Sequence, residues 1–282
     1  MTKGDIIILK FQKLLIVVIL LILGAGIGIA LPRSQKDEHL GYQNTPLLPG
    51  GKWHVHDGLR AQPKIIDPGF SSVNNAPGKA PSDATVLFDG KDLSHWQTNG
   101  GEAKWNIVKG DLVIKPGSGA INTKDLIGDC QLHIEWMEPT TIRGSGQGRG
   151  NSGVIFFNKY EIQVLDSYAN KTYPDGQAGS IFGCYPPLVN AMRKQGEWQV
   201  YDILFTVPRF MGEKLVKPGY FTVIHNGVVL HNHAELLGET QHQQFPVYHP
   251  HEPKGSLYLQ DHGNPIHFRN IWVRELKDYD VQ

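Results

Sequence analysis

Apolar and polar residues alternate in short runs over most of the chain, and turn-forming residues cut the runs. Cys130, Leu132, Ile134 and Trp136 alternate with Gln131, His133 and Glu135. That period of two belongs to a strand with one buried face. The same pattern predicts strands at 86–88, 105–108, 112–114, 201–207, 221–224, 228–230, 257–260 and 268–276. Asn226-Gly227, between Ile224 and Val228, is the strongest hairpin signal, because both residues tolerate the positive φ of a type I′ turn. Residues 151–166 form a second hairpin about Asn158-Lys159. Its second strand places Ile162 and Val164 on one face and Glu161 and Gln163 on the other, the last two about 7 Å apart by strand rise. A solvated strand usually carries Lys, Thr or Ser on its wet face, so Glu-x-Gln reads equally as the lining of a groove. No long, capped helical pattern occurs. The economical fold is all-β, a two-sheet antiparallel jelly-roll sandwich.

The amino-terminal third differs. Lys3, Lys10 and Lys13 precede eighteen apolar or glycine residues at 14–31. Residues 1–31 therefore read as a signal peptide or signal anchor, with small residues before Ala30 that suit cleavage, and an exported, periplasmic or cell-envelope location follows. Membrane contact is expected only through this segment, if uncleaved. Residues 32–84 form a Pro- and Gly-rich linker in which Trp53–Asp57 reads either as a packing arm or as part of a tether. Residues 85–277 hold the strands.

Composition narrows the function. Lys plus Arg and Asp plus Glu both number 27, so no cationic excess exists for binding nucleic acid. Gly 32 and Pro 18 suit a turn-rich β fold. Cys130 and Cys184 lack zinc-site spacing and are left as either a disulfide or two thiols. Three His-x-His pairs, His54/His56, His231/His233 and His249/His251, each place two rings on one strand face but have no third ligand nearby in sequence, so no metal and no cofactor are assigned.

Carboxylates, amides and one turn histidine carry the candidate chemistry. If the strands of Glu135 and Glu161 share a sheet, two carboxylates and Gln163 meet on one face, as acid–base work requires. Gln260-Asp261-His262 packs an amide, a carboxylate and an imidazole into a turn, where His262 suits proton transfer near neutral pH. Arg269, between Phe268 and Ile271, suits holding a carboxylate.

Several of these segments resemble one family. Leu87-Phe88-Asp89-Gly90-Lys91-Asp92-Leu93, His133-Ile134-Glu135-Trp136, Gly150-Asn151-Ser152-Gly153-Val154 and Tyr160-Glu161-Ile162-Gln163-Val164-Leu165-Asp166 match its motifs in order. So do Gly196-Glu197-Trp198, Leu259-Gln260-Asp261-His262-Gly263 and Phe268-Arg269-Asn270-Ile271. The chain from about Val86 to Leu276 is thus similar to the 3-keto-disaccharide hydrolase domain. The resemblance implies a concanavalin-like jelly roll that cleaves 3-keto-glycosides by C2 proton abstraction, elimination and hydration. For that chemistry Glu135, Glu161 and His262 are the acid–base candidates, and Asn151, Gln163, Gln260 and Arg269 the candidate donors or positioners. Asp166 would accept a sugar hydroxyl, and Tyr185 and Trp198 would stack on a sugar. A separate sugar 3-dehydrogenase would supply the ketone. Met137 and Cys184 depart from the family pattern and bear on substrate preference. A non-catalytic carbohydrate-binding module on the same sandwich, and a glycosidase acting on unoxidised sugars, are the alternatives.

Overall fold

The computed structural model describes residues 41–61, 65, 67–70, 72–73 and 76–278. The apolar segment at 14–31 lies outside them. The chain divides into two units, 1–62 and 63–282. In the first, the Tyr42 amide donates to the His56 carbonyl at 2.8 Å, and the His54 amide donates to the Asp57 carboxylate at 3.0 Å, closing a short looped hairpin.

The second unit is built from antiparallel strands. They are β1 (Thr85–Phe88), β2 (Trp96–Thr98), β3 (Gly101–Glu102), β4 (Asn106–Val108), β5 (Asp111–Val113), β6 (Ile121–Thr123), β7 (Cys130–Met137) and β8 (Ser152–Phe156). They continue as β9 (Tyr160–Val164), β10 (Trp198–Thr206), β11 (Arg209–Met211), β12 (Lys214–Lys217), β13 (Tyr220–His225), β14 (Val228–Glu235), β15 (Leu257–Leu259) and β16 (His267–Glu275). One sheet runs β14-β13-β10-β7-β16-β5-β4, with β1 also on β16. The other runs β3-β2-β6-β15-β8-β9, and β11 with β12 forms a separate hairpin. Two short 3₁₀ turns, Gly146–Gly148 and Pro174–Gly176, are the helical elements among the described residues.

The alternation read from the sequence sets the core. Leu132, Ile134 and Trp136 of β7 and Tyr201, Ile203 and Phe205 of β10 are fully buried from one sheet, as are Val154, Phe156, Tyr160 and Ile162 from the other. Phe156 meets Phe205 at a ring-centroid distance of 4.7 Å and Phe221 at 5.2 Å, joining the two layers. Asn226 (φ 53°) and Gly227 (φ 82°) both take left-handed backbone, as their hairpin requires. The jelly-roll sandwich expected from sequence is the fold observed.

The other elements that matter here are edges. β9 ends its sheet, and its unpaired backbone is covered by two loops. The Gln163 amide donates to Ser180 O (3.1 Å), Gly179 N to Gln163 O (2.9 Å) and Phe182 N to Glu161 O (3.1 Å). The Glu161 amide donates to Thr240 Oγ1 at 2.9 Å. An open edge would invite pairing with another chain. Here the same bonds fix both loops beside the polar face of β9.

Candidate active site

The face of the six-stranded sheet turned away from the core is polar. Gln163 and Glu161 of β9 lie there, opposite Gly153 and Ile155 of β8, and Gln260 continues β15 beside Gly153, whose carbonyl accepts from the Gln260 amide at 3.1 Å. This face floors a cleft of about 360 Å³. Gln147, Asn151, Gln260 and His262 line it together with Tyr173, Phe182, Thr240, Gln241 and His242.

Glu161 is the main chemical feature of the floor. It is 9% exposed, and burial, the single cause acting on it, pushes its carboxyl up to about 7. It makes no salt bridge among the described residues, so no cation offsets desolvation of the charged form. With its nitrogen turned inward, the Gln163 amide donates to Ser152 O at 2.9 Å and to Glu161 Oε1 at 3.2 Å. From behind, Tyr201 donates its hydroxyl to the Gln163 carbonyl at 2.8 Å, holding the strand in place. Asn151 is fixed at both ends. Its amide nitrogen donates to the Gln147 carbonyl at 2.8 Å, and its backbone N–H donates to Asn264 Oδ1 at 2.8 Å. The Asp261 carboxylate braces the turn before Gly263 by accepting from the Gly263 amide (2.9 Å) and the Gly119 amide (3.0 Å), while His262 stays exposed on the cleft rim.

Gly153 explains how a carboxylate fits on this floor. A Cβ there would lie 2.3 Å from Glu161 Oε1, so the glutamate lies across the glycine. The obstructing atom ends a flexible side chain, so Gly153→Ala should move the carboxyl rather than unfold the sheet. Such a displacement is expected to lower kcat about 100-fold while costing about 1 kcal/mol or less of stability. Paired kinetics and urea denaturation check this; a variant with full kcat would show that the carboxyl position is unimportant.

Asn151, Glu161, Gln163, Gln260 and His262 therefore come together. Glu135 does not join them. Its strand, β7, belongs to the eight-stranded sheet, and β9 belongs to the six-stranded one. Both carboxylates point away from the core, but the outward faces of the two sheets of a sandwich point in opposite directions, so the expected shared face does not exist. On its own face Glu135 is fully buried. It accepts from Arg269 Nε (2.7 Å), Asn270 Nδ2 (2.8 Å) and the Ser72 hydroxyl, with His133 Nε2 3.3 Å away. Burial opposes its charge, but the hydrogen bonds from His133, Asn270, Ser72 and Arg269 win and lower its carboxyl to about 2. Burial likewise opposes charge on His133, yet its bonds to Asp202 and Glu135 raise it to about 9. The Arg269 guanidinium lies 3.9 Å over Trp198, so Arg269 and Trp198 belong to this network and away from the cleft. Arg269 does hold a carboxylate, as the sequence suggested.

Asp166 is also elsewhere. It pairs with Arg149 at 2.6 Å, accepts from Gln195, and lines a neighbouring cavity of about 290 Å³ with Glu138, whose carboxyl burial pushes well above the usual range. Tyr185 packs partly buried against the core, bridged to Ile181 through the backbone, and is not among the cleft-lining residues. Cys130 and Cys184 are free thiols. The histidine pairs find protein partners. His231 Nε2 lies 3.0 Å from Gly179 O, His233 stacks on Tyr220 at 4.1 Å, and His251 Nε2 lies 2.9 Å from the Tyr160 hydroxyl. Among the described residues no group of three or more His, Cys, Asp or Glu is arranged to hold a metal ion.

Gln147, Tyr173, Phe182, Thr240, Gln241 and His242 were not anticipated from sequence as cleft residues. Gln147, Tyr173 and Phe182 stand in the long connections 138–151 and 165–197 between strands. The remaining signal was the unusually polar run Gln241-His242-Gln243-Gln244.

A profile of the 3-keto-alpha-glucoside-1,2-lyase-like domain matches residues 83–274. The crystal structure of a candidate glycosyl hydrolase from Parabacteroides distasonis is 45% identical, with a TM-score of 0.75 over 82% of this chain and 100% of that one. A second candidate glycosyl hydrolase from Parabacteroides distasonis is 24% identical, with a TM-score of 0.51, covering 69% of this chain and 94% of that one, and shares the fold. No curated protein sequence matches.

Proposed function

Because the chain belongs to the family of 3-keto-alpha-glucoside-1,2-lyase-like domains and acts on glycosides, we propose that it cleaves 3-keto-glycosides by removing the proton on C2. A ketone at C3 acidifies that hydrogen. Glu161 takes the proton, and the C–H electron pair becomes an enolate whose oxygen is held by the side-chain amide of Gln260, while Gln163 and Asn151 position the floor around it. The enolate then expels the C1 oxygen substituent, which leaves with a proton from His262 and generates a C1–C2 double bond conjugated to the ketone. Water adds back across that bond, with its hydroxyl on C1 and its proton on C2, so the net result is hydrolysis.

The observation that carries this reading is the buried, cation-free carboxyl of Glu161 on the floor of an amide-lined cleft. A base whose pKa lies near the working pH combines availability with driving force. Glycoside substrates with an intact C3 hydroxyl offer it no acidic hydrogen.

Two readouts test the reading together. With C2-deuterated substrate the label should exchange into solvent and turnover should slow. The pH profile of kcat/KM should climb about tenfold per unit below about 7 and level off above it, since Glu161 must be ionised to act. Retained label with a profile flat from acid to neutral pH would overturn it.

An exported site of action belongs to the same proposal. It rests on the basic start and apolar run at 14–31, and recovery of the native protein in the cytoplasmic fraction would sink it. The ketone would come from a sugar 3-dehydrogenase acting beforehand.

A further inference from the structure

A second buried carboxyl stands apart from the cleft lining. Glu138 follows β7, is 1% exposed, and finds no hydrogen-bond partner for either oxygen among the described residues. It lies across Gly150 as Glu161 lies across Gly153: a Cβ at Gly150 would sit 1.9 Å from Glu138 Oε2. Glu138 and Gly150 line the cavity of about 290 Å³ that Asp166 also lines, close to the lower end of the roughly 300–1,000 Å³ of small-molecule sites. A buried carboxyl left without a partner is costly, and the chemistry at Glu161 makes no use of this one. We propose that the cavity is a separate binding site for a small organic monocarboxylate with a compact apolar body.

Most charges around the cavity are already matched, and the remainder is positive. Asp166 accepts from Arg149 Nε (2.6 Å), from Gln195 Nε2 at both oxygens (2.9 and 2.8 Å) and from the Tyr168 amide (3.1 Å). Arg149 is thereby neutralised, and its Nη2 donates to Tyr168 O at 2.8 Å. Burial first, and then the charge of Asp166, push the Glu138 carboxyl well above its usual range against the pull of Arg149. That favours a neutral acid able to donate its proton. Arg143 is left over. It lines the cavity, is exposed, and its guanidinium makes no hydrogen bond or ion pair among the described residues. Asn264 adds an open donor. Its Oδ1 is taken by the Asn151 amide at 2.8 Å, while its Nδ2 makes no bond among the described residues.

Three donors of different kinds thus border one volume: a guanidinium, an acid proton and an amide N–H. Their complement is a carboxylate, which accepts on two oxygens and pairs well with a guanidinium. A cation would meet Arg143 with no unmatched ionised carboxylate to hold it. The rest of the lining selects an organic anion over an inorganic one. Pro139, Ile142 and Pro265 supply apolar surface, and Ile142 is 55% exposed. Phosphate or sulfate would leave that surface wet, whereas an apolar body would cover it. Asn264 also joins the site to the cleft, because the amide it holds is that of Asn151, a cleft residue.

The test titrates the full chain with benzoate, benzamide and benzamidine, which share one flat body and are anionic, neutral and cationic. Calorimetry should show benzoate binding roughly tenfold more tightly than benzamide, with no measurable binding of benzamidine. Arg143→Gln, Asn264→Asp and Glu138→Met should each weaken benzoate by roughly tenfold. All three variants should fold. Arg143 is exposed, Asn264→Asp keeps the oxygen that accepts from Asn151, and Glu138→Met removes a buried acid that has no partner among the described residues. Glu161→Gln should bind benzoate as wild type does, which separates this site from the cleft and from any failure of the chemistry proposed there. Benzamidine binding as tightly as benzoate, no binding of any of the three, or benzoate affinity untouched by all three cavity variants would overturn the assignment. So would loss of benzoate binding in Glu161→Gln.

Discussion

Glu161→Gln is expected to lose about three orders of magnitude in kcat on a 3-keto-glycoside while making the protein more stable at alkaline pH. The first effect follows from removing the base, since positioned proton transfer contributes about 10²- to 10⁴-fold. The second follows from burial. Glu161 titrates near 7 in the folded protein, against an ordinary value of 4.5. The folded chain therefore binds one more proton than the unfolded chain between those values, and stability falls as pH rises through that window. Above about pH 7 the ionised carboxylate costs the fold roughly 3 kcal/mol, from about 1.36 kcal/mol per pKa unit. Glutamine keeps the shape and removes the charge. Urea denaturation at pH 5 and pH 8 measures this: the gain should be several-fold larger at pH 8. Opposite signs in activity and stability mark a residue kept for chemistry. A variant that loses activity and stability together would instead make Glu161 a structural residue.

Replacing Glu135 should do the reverse. Glu135→Ala removes the buried carboxylate shared by Arg269 and a charged His133, and breaking one side of a buried ion pair typically costs about 3–5 kcal/mol. Urea denaturation should show that loss. A double-mutant cycle with Arg269→Met should show strong coupling, because the two groups share one network. The milder Glu135→Gln variant, once folded, should keep kcat within about an order of magnitude, because its strand faces away from the cleft. A thousandfold loss there would return Glu135 to the catalytic group. The pH dependence has two limbs. Glu135 is lowered to about 2, so its contribution is present above its ordinary range and lost as pH falls toward 2. His133 is raised to about 9, so its contribution is full below about 6.5 and lost as pH climbs through 9.

The contrast between these two glutamates shows how far the sequence can be read. Period-two alternation places both on outward faces, and both are there. Alternation is local, however, and cannot say which sheet a strand joins. That depends on pairing β9 with β8 and β7 with β10 and β16, contacts set by the whole fold. The hairpins at Asn226-Gly227 and Asn158-Lys159 were legible because their turn chemistry is local. The floor of the cleft was legible for the same reason, since Glu161, Gln163 and Gln260 sit on or next to strands. Its walls were not. Tyr173, Phe182 and His242 lie on loops without periodicity, and Thr240 matters only because it caps the edge of β9. The short strands β2, β3, β6, β11 and β12 also escaped notice, being two to four residues long and without a full alternation. Asn270 illustrates the limit at a single residue. Its left-handed backbone (φ 46°) breaks the register of β16 and turns its amide onto Glu135. Nothing in Phe268-Arg269-Asn270-Ile271 announces that bulge.

The most direct test of the proposed chemistry is side-by-side turnover of a 3-keto-glucoside and its unoxidised parent by wild type and Glu161→Gln. Cleavage of the ketone alone, abolished in the variant, is the expected result, because only the ketone makes the C2 hydrogen acidic enough for Glu161. Cleavage of the parent at a comparable rate, or an undiminished rate in Glu161→Gln, would contradict it.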